Sequence, residues 1–583
     1  MKSLVANLVS DALASLPELS AAAKSLSTIS TVERTRDAAH GDFATNIAMR
    51  LAKPTKKNPR EIANNIIDVL PDSDIIEKVE IAGPGFINFY LSPAAFHAEV
   101  VAILEQGEEY GRQPTRDGPK ILLEFVSANP TGPLHVGHGR HAAYGATIGN
   151  LLEAMGYPVS REYYVNDGGR QMDILGASVW IRLLQNQGID VAFPQGGYRG
   201  DYIRDIAENI DTDGIAPVSA DDVNDGLPND APAGDREEYI EAIIEKAKSL
   251  LGNEGFDRIR QQALESILVD IEDDLTEFGV SFDSRYSEQS LEKSGRIDAA
   301  IDVLKERDIL YEKDGALWFP ATQFGDEKDR VVVRKNGAKT YFASDIAYHF
   351  DKRERGFDHL LDILGADHHG YVTRVRAGLK AMGYEGDDLE VELMQFVTLY
   401  RGGQKMQMST RSGEFDTLRQ LRAEVGNDAA RFFYVSRSND QHLDFDLDVA
   451  KSQSNDNPVY YIQYAHARIA SVFRQLREKE LRYDGTNGQK NLDALTESQE
   501  KSLLTSLSRY PEVIELAANN RAPQHLVHYL RDLANDFHSW YNAHVFIVDD
   551  ARIRDARLTL CAATRIVIAN GLAILGVSAP ESM

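Results

Sequence analysis

The sequence is poor in cysteine, with Cys561 as the one thiol among 583 residues. A single thiol excludes an intramolecular disulfide framework and leaves no partner for a Cys-rich zinc site. Chains without disulfides are typical of reducing compartments, so the sequence favours a cytoplasmic location.

Long uninterrupted apolar runs are also missing. The first stretch, MKSLVANLVSDALASLPELS, has apolar positions at helical spacing, but Asn7, Ser10 and Asp11 interrupt it, unlike the continuous core of a signal peptide. The most apolar segment, LTLCAATRIVIANGLAILGV, is divided by Arg565 and Asn570. These interruptions favour a buried helix over a membrane span, so no membrane partner is expected.

Positive charge is scarce, since 63 Lys and Arg face 90 Asp and Glu for a formal net charge of -27. At face value this balance argues against a nucleic-acid partner, but binding depends on the local potential. Residues 209–238 hold nine carboxylates and one arginine, and so supply eight of the net negative charges. This Pro- and Gly-rich segment has no periodicity, which predicts a solvated surface insertion.

The chain has no internal repeat, and its patterns divide it into three parts. Residues 1–95 predict an α+β module with an amphipathic helix, a second helical segment over ERTRDAAHGDFATNIAMRLAK (33–53), and a turn before the strand-rich FINFYL. Residues 115–450 alternate strands with helices, which predicts an α/β fold with a parallel sheet. Residues 455–583 predict an all-α helix bundle, because HLVHYLRDLANDFHSWYN places its apolar residues on one helical face.

The stretch ANPTGPLHVGHG, residues 128–139, follows the apolar run ILLEFV and precedes a segment of helical spacing. It therefore predicts a strand, a loop and the start of a helix, where free N–H groups and the helix dipole favour phosphate. His135 and His138 can aim ring N–H groups at phosphate oxygens, and Gly137 lets a purine approach the backbone. This arrangement suits nucleotidyl transfer from ATP. Ordinary loop histidines fit the same four residues, and zinc is disfavoured because no further ligands stand at suitable spacing.

HVGH resembles the HIGH signature of class I aminoacyl-tRNA synthetases. Enzymes of that class carry a second signature, KMSKS, on a mobile loop a few hundred residues later, and this chain has GGQKMQMSTRSGEF at 402–415. Met408 and Ser409 match the signature, whereas Gln407 and Thr410 replace its lysines. Degenerate second signatures of this kind occur in one branch, the arginyl-tRNA synthetases.

The resemblance to bacterial arginyl-tRNA synthetases extends along nearly the whole chain. Ten stretches match in order: HGDFATNIAMRLAK, AGPGFINFYL, EFVSANPTGPLHVGHGR, YYVNDGGRQM, GYRGDYI, TYFASDIAYH, GADHHGYVTRV, MSTRSGEFDTL, NPVYYIQYAHARI and LANDFHSWYN. The resemblance implies a Rossmann-like catalytic domain over 115–450, a tRNA-contacting N-terminal module and a helical anticodon-binding domain.

Three sets of site residues are implied by the same resemblance. The catalytic residues would be His135 and His138, with Lys405 and Arg411 in place of the missing lysines. The residues that contact ATP would be Pro130, Gly132, His135, Gly137, His138, Met408 and Ser409. The residues that surround arginine would be Glu124, Asn129, Tyr341, Asp345, Asp367 and His368.

The chemistry of arginine fits two of these residues directly. A guanidinium presents five donors in one plane, so its pocket needs carboxylates and an aromatic face. Tyr341 and Asp345 are four apart, and they share one face if their segment is helical. Taken alone, the pair is more typical of a core tyrosine and a helix-start aspartate, and the resemblance is what favours a ligand site. A pocket of this kind rejects lysine without editing, and we expect no second folded interruption of the catalytic domain.

Transfer RNA would be held by the C-terminal domain, where NPVYYIQYAHAR contains Tyr460, Tyr464 and Arg468. Tyrosines can stack on unpaired bases while a cation meets the backbone, although tyrosines at this spacing also suit a helix core. The family places its anticodon contacts in this domain.

The resemblance implies an ATP-dependent arginine–tRNA ligase. Its reaction would use ATP with Mg²⁺, form arginyl-adenylate, and transfer the arginyl group to the 2′-hydroxyl of the terminal adenosine. No tightly bound metal or organic cofactor, no membrane and no DNA are expected, and the family is mostly monomeric. Arginyl-tRNA synthetases also belong to the few families that need tRNA for activation.

Three alternatives stay open from the sequence. The chain could be another class I synthetase, or a small-molecule adenylyltransferase, which would lack the long helical C-terminal part. It could also be a catalytically silent tRNA-binding paralogue, as the missing KMSKS lysines and the acidic charge suggest, although HVGH, Asn129 and Asp345 are intact.

Overall fold

A computed structural model of the chain describes residues 1–24, 32–213, 215, 217–406 and 417–583. The strands in chain order are β1 (Val32–Arg34), β2 (Phe43–Thr45), β3 (Ile76–Ala82), β4 (Phe86–Leu91), β5 (Ile121–Glu124), β6 (Val159–Val165), β7 (Ser284–Ser287), β8 (Tyr311–Lys313), β9 (Ala316–Phe319), β10 (Arg330–Val333), β11 (His359–Gly365), β12 (Leu389–Met394), β13 (Val397–Arg401), β14 (Gln404–Lys405) and β15 (Leu443–Asp446).

The α-helices in chain order are α1 (Lys2–Ala14), α2 (Pro17–Lys24), α3 (Ile47–Thr55), α4 (Pro59–Asp68), α5 (Pro93–Gln106), α6 (Val136–Ala154), α7 (Arg170–Asn186), α8 (Asp201–Asn209), α9 (Ala220–Asn224), α10 (Arg236–Glu277), α11 (Glu288–Lys293), α12 (Arg296–Glu306), α13 (Tyr341–Glu354), α14 (His369–Ala381), α15 (Leu418–Val425), α16 (Asn427–Val435), α17 (Leu447–Lys451), α18 (Pro458–Glu478), α19 (Gly485–Lys490), α20 (Ser498–Leu507), α21 (Tyr510–Asn519), α22 (Gln524–Ala543) and α23 (Ala551–Leu575).

The N-terminal module packs helices α1 to α4 on an antiparallel sheet of order β1-β2-β4-β3. The helix predicted over residues 33–53 is wrong in its first half, because this segment supplies β1 and β2 before α3 begins at Ile47. Phe43 pairs with Phe89 across β2 and β4, and both rings are fully buried. Burial of these rings on a sheet outweighs the helical pattern of the segment, since tertiary packing overrides local propensity.

The middle of the chain is built on a five-stranded sheet of order β12-β11-β5-β6-β7. All four strand pairings are parallel. The helices that follow β5, β6 and β11 are α6, α7 and α14, as the alternating pattern predicts. Parallel strands end at one edge of the sheet, and that edge is where ligands of such folds bind.

A small lobe interrupts this domain between β7 and β11. Its antiparallel sheet, β8 to β10, and helices α12 and α13 surround a core of their own that includes Leu304, Phe319 and Ile346. The sequence predicted no such folded interruption. Strands of three or four residues are too short for a period-two pattern to stand out, which explains the difference. Helix α13 belongs to both units, because it also packs on the parallel sheet.

The described residues of the acidic segment 209–238 are mostly exposed, but they include a short helix, α9, that the pattern did not predict. The side chains of Ser219 and Asp222 each bond the backbone N–H of the other, which caps α9. The carboxylate of Asp235 caps α10 in the same way, and Asp211 lies 2.5 Å from Arg258. Several of the acidic groups therefore serve helix starts, where carboxylates are favourable.

The last part of the chain is a bundle of α18 to α23. Among the described residues, α23 is the one helix long and apolar enough to cross a membrane by length and composition, and 72% of its most apolar window is buried inside the protein. Arg431 of α16 joins the bundle to the catalytic part, since its buried guanidinium donates to the carbonyls of Leu575, at 3.1 Å, and Phe278, at 2.8 Å.

Candidate active site

The HVGH residues lie at the carboxyl edge of the parallel sheet, between β5 and α6. The loop that leads to them holds Val126 at φ 67° and Ser127 at φ 41°. A β-branched residue in the left-handed region is strained, and such strain clusters at functional sites. The Ser127 hydroxyl fixes this turn, because it accepts from the backbone N–H of Tyr164 and donates to Glu124, both at 3.1 Å.

The two HVGH histidines stack on each other, with ring centroids 3.5 Å apart. His135 caps α6, and its Nδ1 accepts from the backbone N–H of Gly137 and of His138. The Nδ1 of His138 accepts from the backbone N–H of His135 at 3.3 Å. These bonds assign the proton of each neutral ring to Nε2. A side chain at Gly137 would collide with the His135 ring, so this glycine permits the stack.

His138 is uncharged at neutral pH. Burial, together with neighbouring His135 and His141, lowers its pKa to about 2. The ring is therefore a neutral N–H donor, which is suited to stabilising phosphate charge by hydrogen bonding rather than as a cation.

His141 lies one turn further along α6 and lines the same cavity, although the sequence analysis did not select it. Burial lowers its pKa to about 4, and His135 and Arg140 lower it further, while a bond to the Ile363 backbone opposes them. The three-residue spacing from His138 was the signal that could have identified it.

A cavity of about 710 Å³ opens in front of these histidines. One end is formed by residues at or just after the ends of β6 and β7, and by α13: Tyr164, Asn166, Glu288, Tyr341, Asp345 and Tyr348. The other end is formed by residues that follow β11 and β12, including Gly365, Asp367, His368 and Phe396. The histidines lie between the two ends, because β5 is the middle strand of the sheet.

The first end of the cavity is acidic. Burial raises the pKa of Asp345 to about 6, against the opposing effects of His349, Arg374 and the Tyr371 hydroxyl. Burial also raises the pKa of Glu288, and the charges of Asp167 and Asp345 add to this effect. A bound cation would stabilise the charged forms of both carboxyl groups.

Tyr341 and Asp345 lie on one side of α13, as their spacing predicts. Tyr341 is the first residue of the helix and is 78% exposed at the cavity, where its ring can cover a ligand. The Thr340 side chain caps the helix by accepting from the Ala343 N–H.

Glu124 lines the cavity, but its carboxylate is already occupied within the protein. One oxygen lies 2.6 Å from Lys352 and 2.9 Å from the Tyr348 hydroxyl, and the other accepts from Ser127. The sequence did not reveal Lys352, which lies on α13 more than 200 positions from Glu124.

Of the remaining residues expected to contact a ligand, some line the cavity and some do not. Asn129, Asp367 and His368 line the cavity. Pro130 is buried in the loop, and Gly132 packs on Tyr202, whose hydroxyl lies 3.0 Å from the position of an added side chain. The structure thus assigns Gly132 a packing contact within the protein, and neither of these two residues lines the cavity.

The second signature is flanked by described residues on both sides. Lys405 is exposed on β14, which pairs with β13, and it does not line the cavity. Met408, Ser409 and Arg411 lie outside the described residues. The chain after them returns to the HVGH segment, because Thr417 bridges to His135 and the Leu418 N–H donates to the Leu134 carbonyl at 2.8 Å.

Tyr460, Tyr464 and Arg468 form one half-buried row along α18. The two tyrosine rings stack with centroids 6.0 Å apart, and the Arg468 guanidinium lies 4.4 Å from the centre of the Tyr464 ring. Nearby His466 is buried and bonds the Pro580 carbonyl, so it holds the C-terminal segment rather than facing a ligand.

The parallel sheet, the histidine pair at the start of α6 and the acidic cavity define a class I aminoacyl-tRNA synthetase. Residues 99–450 match the model of the class I (R) tRNA synthetase catalytic domain, residues 3–91 that of the arginyl tRNA synthetase N terminal domain, and residues 462–583 that of the DALR anticodon binding domain. The chain belongs to the arginyl-tRNA synthetase family.

Relatives agree with this assignment. The arginine–tRNA ligase of Thioalkalivibrio sulfidiphilus is 59% identical over 95% of both chains, and that of Legionella pneumophila is 54% identical over the whole of both. The arginyl-tRNA synthetase of Thermus thermophilus shares the fold, with a TM-score of 0.74 at 23% identity over the full length of each chain. The predicted family and fold class are confirmed, and the alternatives of an adenylyltransferase or a silent paralogue are set aside.

We predict that His138→Ala lowers the rate of arginine activation by about a hundredfold or more, because it removes a donor aimed at developing phosphate charge. The measurement is arginine-dependent exchange of pyrophosphate into ATP in the presence of tRNA. His528→Ala, at an exposed histidine of the bundle, is the matched control and should exchange normally. Near-normal exchange by His138→Ala would refute the assignment.

We also predict that affinity for arginine depends on pH through Asp345. Its pKa of about 6 lies above the ordinary value, so the carboxyl gains a proton, and the site loses its attraction for a cation, as pH falls through that value. The KM for arginine should rise below about pH 6 while the KM for ATP changes little. Asp345→Asn should bind arginine weakly at every pH, and an unchanged pH profile in this variant would contradict the assignment.

Proposed function

We propose that the chain activates L-arginine with ATP and transfers it to the 2′-hydroxyl of the terminal adenosine of its tRNA. The observation that carries this proposal is the pair of half-buried carboxyl groups, Asp345 and Glu288, at one end of a cavity whose centre holds neutral histidine donors. The first feature fits a guanidinium, and the second fits a phosphate at a helix start.

Arginine binds with its guanidinium between Asp345 and Glu288 and under the Tyr341 ring. Asn129 holds the α-ammonium or α-carboxylate group of the substrate. Lysine places one compact ammonium group where a planar fork is required, and uncharged analogues leave both carboxyl groups without a partner. Discrimination at this level requires no editing site.

In the first step, an oxygen of the arginine carboxylate forms a bond to the α-phosphorus of ATP. The bond from that phosphorus to the bridging oxygen of the pyrophosphate breaks, and pyrophosphate leaves with the electron pair. His135 and His138 donate from Nε2 to the non-bridging oxygens, and the start of α6 adds its dipole. Lys405 and Arg411 are the candidates to receive the pyrophosphate charge, together with Met408 and Ser409 at the nucleotide.

In the second step, the 2′-hydroxyl oxygen of the terminal adenosine attacks the arginyl carbonyl carbon. The bond to the phosphate oxygen breaks, AMP leaves, and the proton of the hydroxyl passes to the departing phosphate. The same histidine donors stabilise charge on that phosphate, so one site serves both steps.

Magnesium enters this scheme as part of the substrate. In the described part of the chain, no group of three or more His, Cys, Asp or Glu side chains could hold a metal ion. Mg²⁺ keeps several waters and binds phosphate oxygens readily, so it would be carried by the triphosphate.

The tRNA is held at two places, by residues 1–95 and by the bundle 455–583, while residues 115–450 carry the chemistry. The row Tyr460, Tyr464 and Arg468 supports a role in base stacking, since it combines two aligned rings with a cation. We take the protein to be a cytoplasmic monomer that binds neither DNA nor membranes. The single buried thiol, Cys561, supports a reducing compartment.

We predict that Asp345→Ala raises the KM for arginine by about thirtyfold or more and leaves the KM for ATP within about twofold. Truncation of one partner of a buried charge pair costs roughly 2 kcal/mol or more. Steady-state exchange at varied arginine and at varied ATP measures the two constants. Asp387→Asn serves as the control, because Asp387 is an exposed carboxylate after α14 and does not line the cavity. Equal losses for both substrates would indicate a structural role for Asp345.

We further predict that the chain makes little arginyl-adenylate until tRNA binds. Gln407 and Thr410 leave the second signature with less positive charge to close over ATP, so binding energy from tRNA would assist closure. A route exists from α18, because Gln463 donates to Asp428 of α16 at 2.8 Å, and Tyr434 of α16 donates to the Val136 carbonyl at 2.7 Å.

Pyrophosphate exchange with arginine and ATP, without RNA and then with cognate tRNA, tests this dependence. We expect at least about a tenfold stimulation of the exchange rate, which corresponds to an activation barrier lower by about 1.4 kcal/mol. Gln463→Met should reduce the stimulation while the affinity for tRNA is retained. Comparable rates with and without tRNA would contradict the prediction but leave the ligase assignment intact.

A further inference from the structure

An exposed aromatic ring stands at the end of the cavity opposite Asp345. Phe396 follows β12, lines the cavity, and is 63% exposed. Its ring lies beside that of His442, with centroids 6.3 Å apart and planes within 25° of parallel. The arginine-binding residues at the other end do not use either ring.

The backbone under both rings is held by one buried side chain, Arg140 of α6. Its guanidinium is fully buried and donates to the carbonyls of Gln395 at 2.7 Å, Gln441 at 2.9 Å and Ser438 at 2.8 Å. Gln395 and Gln441 are the residues directly before Phe396 and His442.

Burial of the Arg140 guanidinium lowers the stability of the folded protein. Burial lowers its pKa to about 10, and these three hydrogen bonds all go to backbone carbonyls rather than to a carboxylate. A buried cation without a carboxylate partner costs stability, so its presence indicates that the geometry it enforces matters.

Two backbone bonds complete the support. The N–H of Leu443 donates to the Phe396 carbonyl at 3.1 Å, and the N–H of Gln395 donates to the Asn439 carbonyl at 2.9 Å. The two rings are thus fixed to the same helix that begins with the phosphate-binding histidines.

We propose that Phe396, supported by His442, is a stacking surface for the adenine ring of ATP, and that Arg140 is the positioning residue that sets this surface relative to the HVGH histidines. The proposal rests on the proposed function. A base has a flat π-face whatever its edge groups, and a rigid exposed ring beside a phosphate site fits it. The three ligand groups then lie in sequence along the cavity, with arginine at Asp345, the α-phosphate at His138 and adenine at Phe396.

Four variants test the stacking surface. Phe396→Ala and Phe396→Leu remove the aromatic face, Phe396→Tyr keeps it, and Val269→Ala removes an exposed apolar side chain of α10 as a control. Loss of one stacked base contact is expected to weaken binding by roughly five- to a hundredfold. The readouts are the equilibrium Kd for ATP, measured without arginine, and the KM values for ATP and arginine in exchange.

We expect the Ala and Leu variants to weaken ATP binding by about tenfold, with the KM for arginine unchanged and with the Tyr variant near normal. Unchanged ATP affinity with a raised KM for tRNA would assign the ring to the terminal adenosine instead and overturn the proposal. Unchanged affinity for both ligands, or equal effects of Leu and Tyr, would overturn it as well. Because the Kd for ATP needs no turnover, these results stay distinguishable from failure of the ligase assignment, which would appear as absent exchange in the unmodified protein.

The positioning role of Arg140 has its own test. Arg140→Lys keeps the charge but loses the planar fork, so it should raise the Kd for ATP and leave the KM for arginine unchanged. If Arg140 acts through the ring, its effect should largely vanish in the Phe396→Ala background. Additive effects on ATP binding, or equal losses for ATP and arginine, would refute the positioning role.

Discussion

The Lys352 ammonium group holds the catalytic domain and its arginine pocket together. It is fully buried, 2.6 Å from Glu124 of β5 and 2.9 Å from Asp362 of β11. These two strands are neighbours in the parallel sheet, whereas Lys352 comes from α13 of the small lobe. A buried charge is stable when it is paired, and loss of the lysine would leave two buried carboxylates uncompensated. The ion pairs therefore fix α13 across the sheet, and with it Tyr341 and Asp345 at the helix start.

The same helix neutralises a complete row of acids. Asp362, Glu124 and Glu162 are in register on β11, β5 and β6, so three carboxylates stand side by side on one face of the sheet. Like charges on neighbouring strands repel. Lys352 and Arg355 offset them, the latter by an ion pair with Glu162, and the Tyr348 hydroxyl donates to both glutamates. With Glu124 paired inside the protein, this end of the cavity presents its remaining acidity at Asp345 and Glu288, which suits a ligand with a single guanidinium.

The sequence predicted the parts of this arrangement that lie close together in the chain. Strand and helix alternation, the HVGH helix start and the shared face of Tyr341 and Asp345 all follow from local spacing. The acid row could not be predicted, because its members are brought together by strand order across more than 200 residues. For the same reason the sequence did not show that the Glu124 carboxylate, which is expected near arginine, also pairs with Lys352. Phe396 and Glu288 follow strands of the parallel sheet, so the rule that ligands bind at strand ends could have selected them once the strands were known.

Helix α6 connects the three functions of the molecule along a single rigid element. It has 19 residues, and so spans roughly 28 Å. Its first turn carries His138, and its second turn carries Arg140 beneath the Phe396 loop. Further along, the Tyr144 hydroxyl donates to the Arg521 carbonyl and the Asn150 amide to the Ile574 carbonyl, both in the helical bundle. A buried helix moves as a unit, since close-packed interiors deform little. A shift of the bundle would therefore be transmitted to the histidines and to the loop that carries Phe396, so the proposed nucleotide site and the helical bundle are joined by one helix.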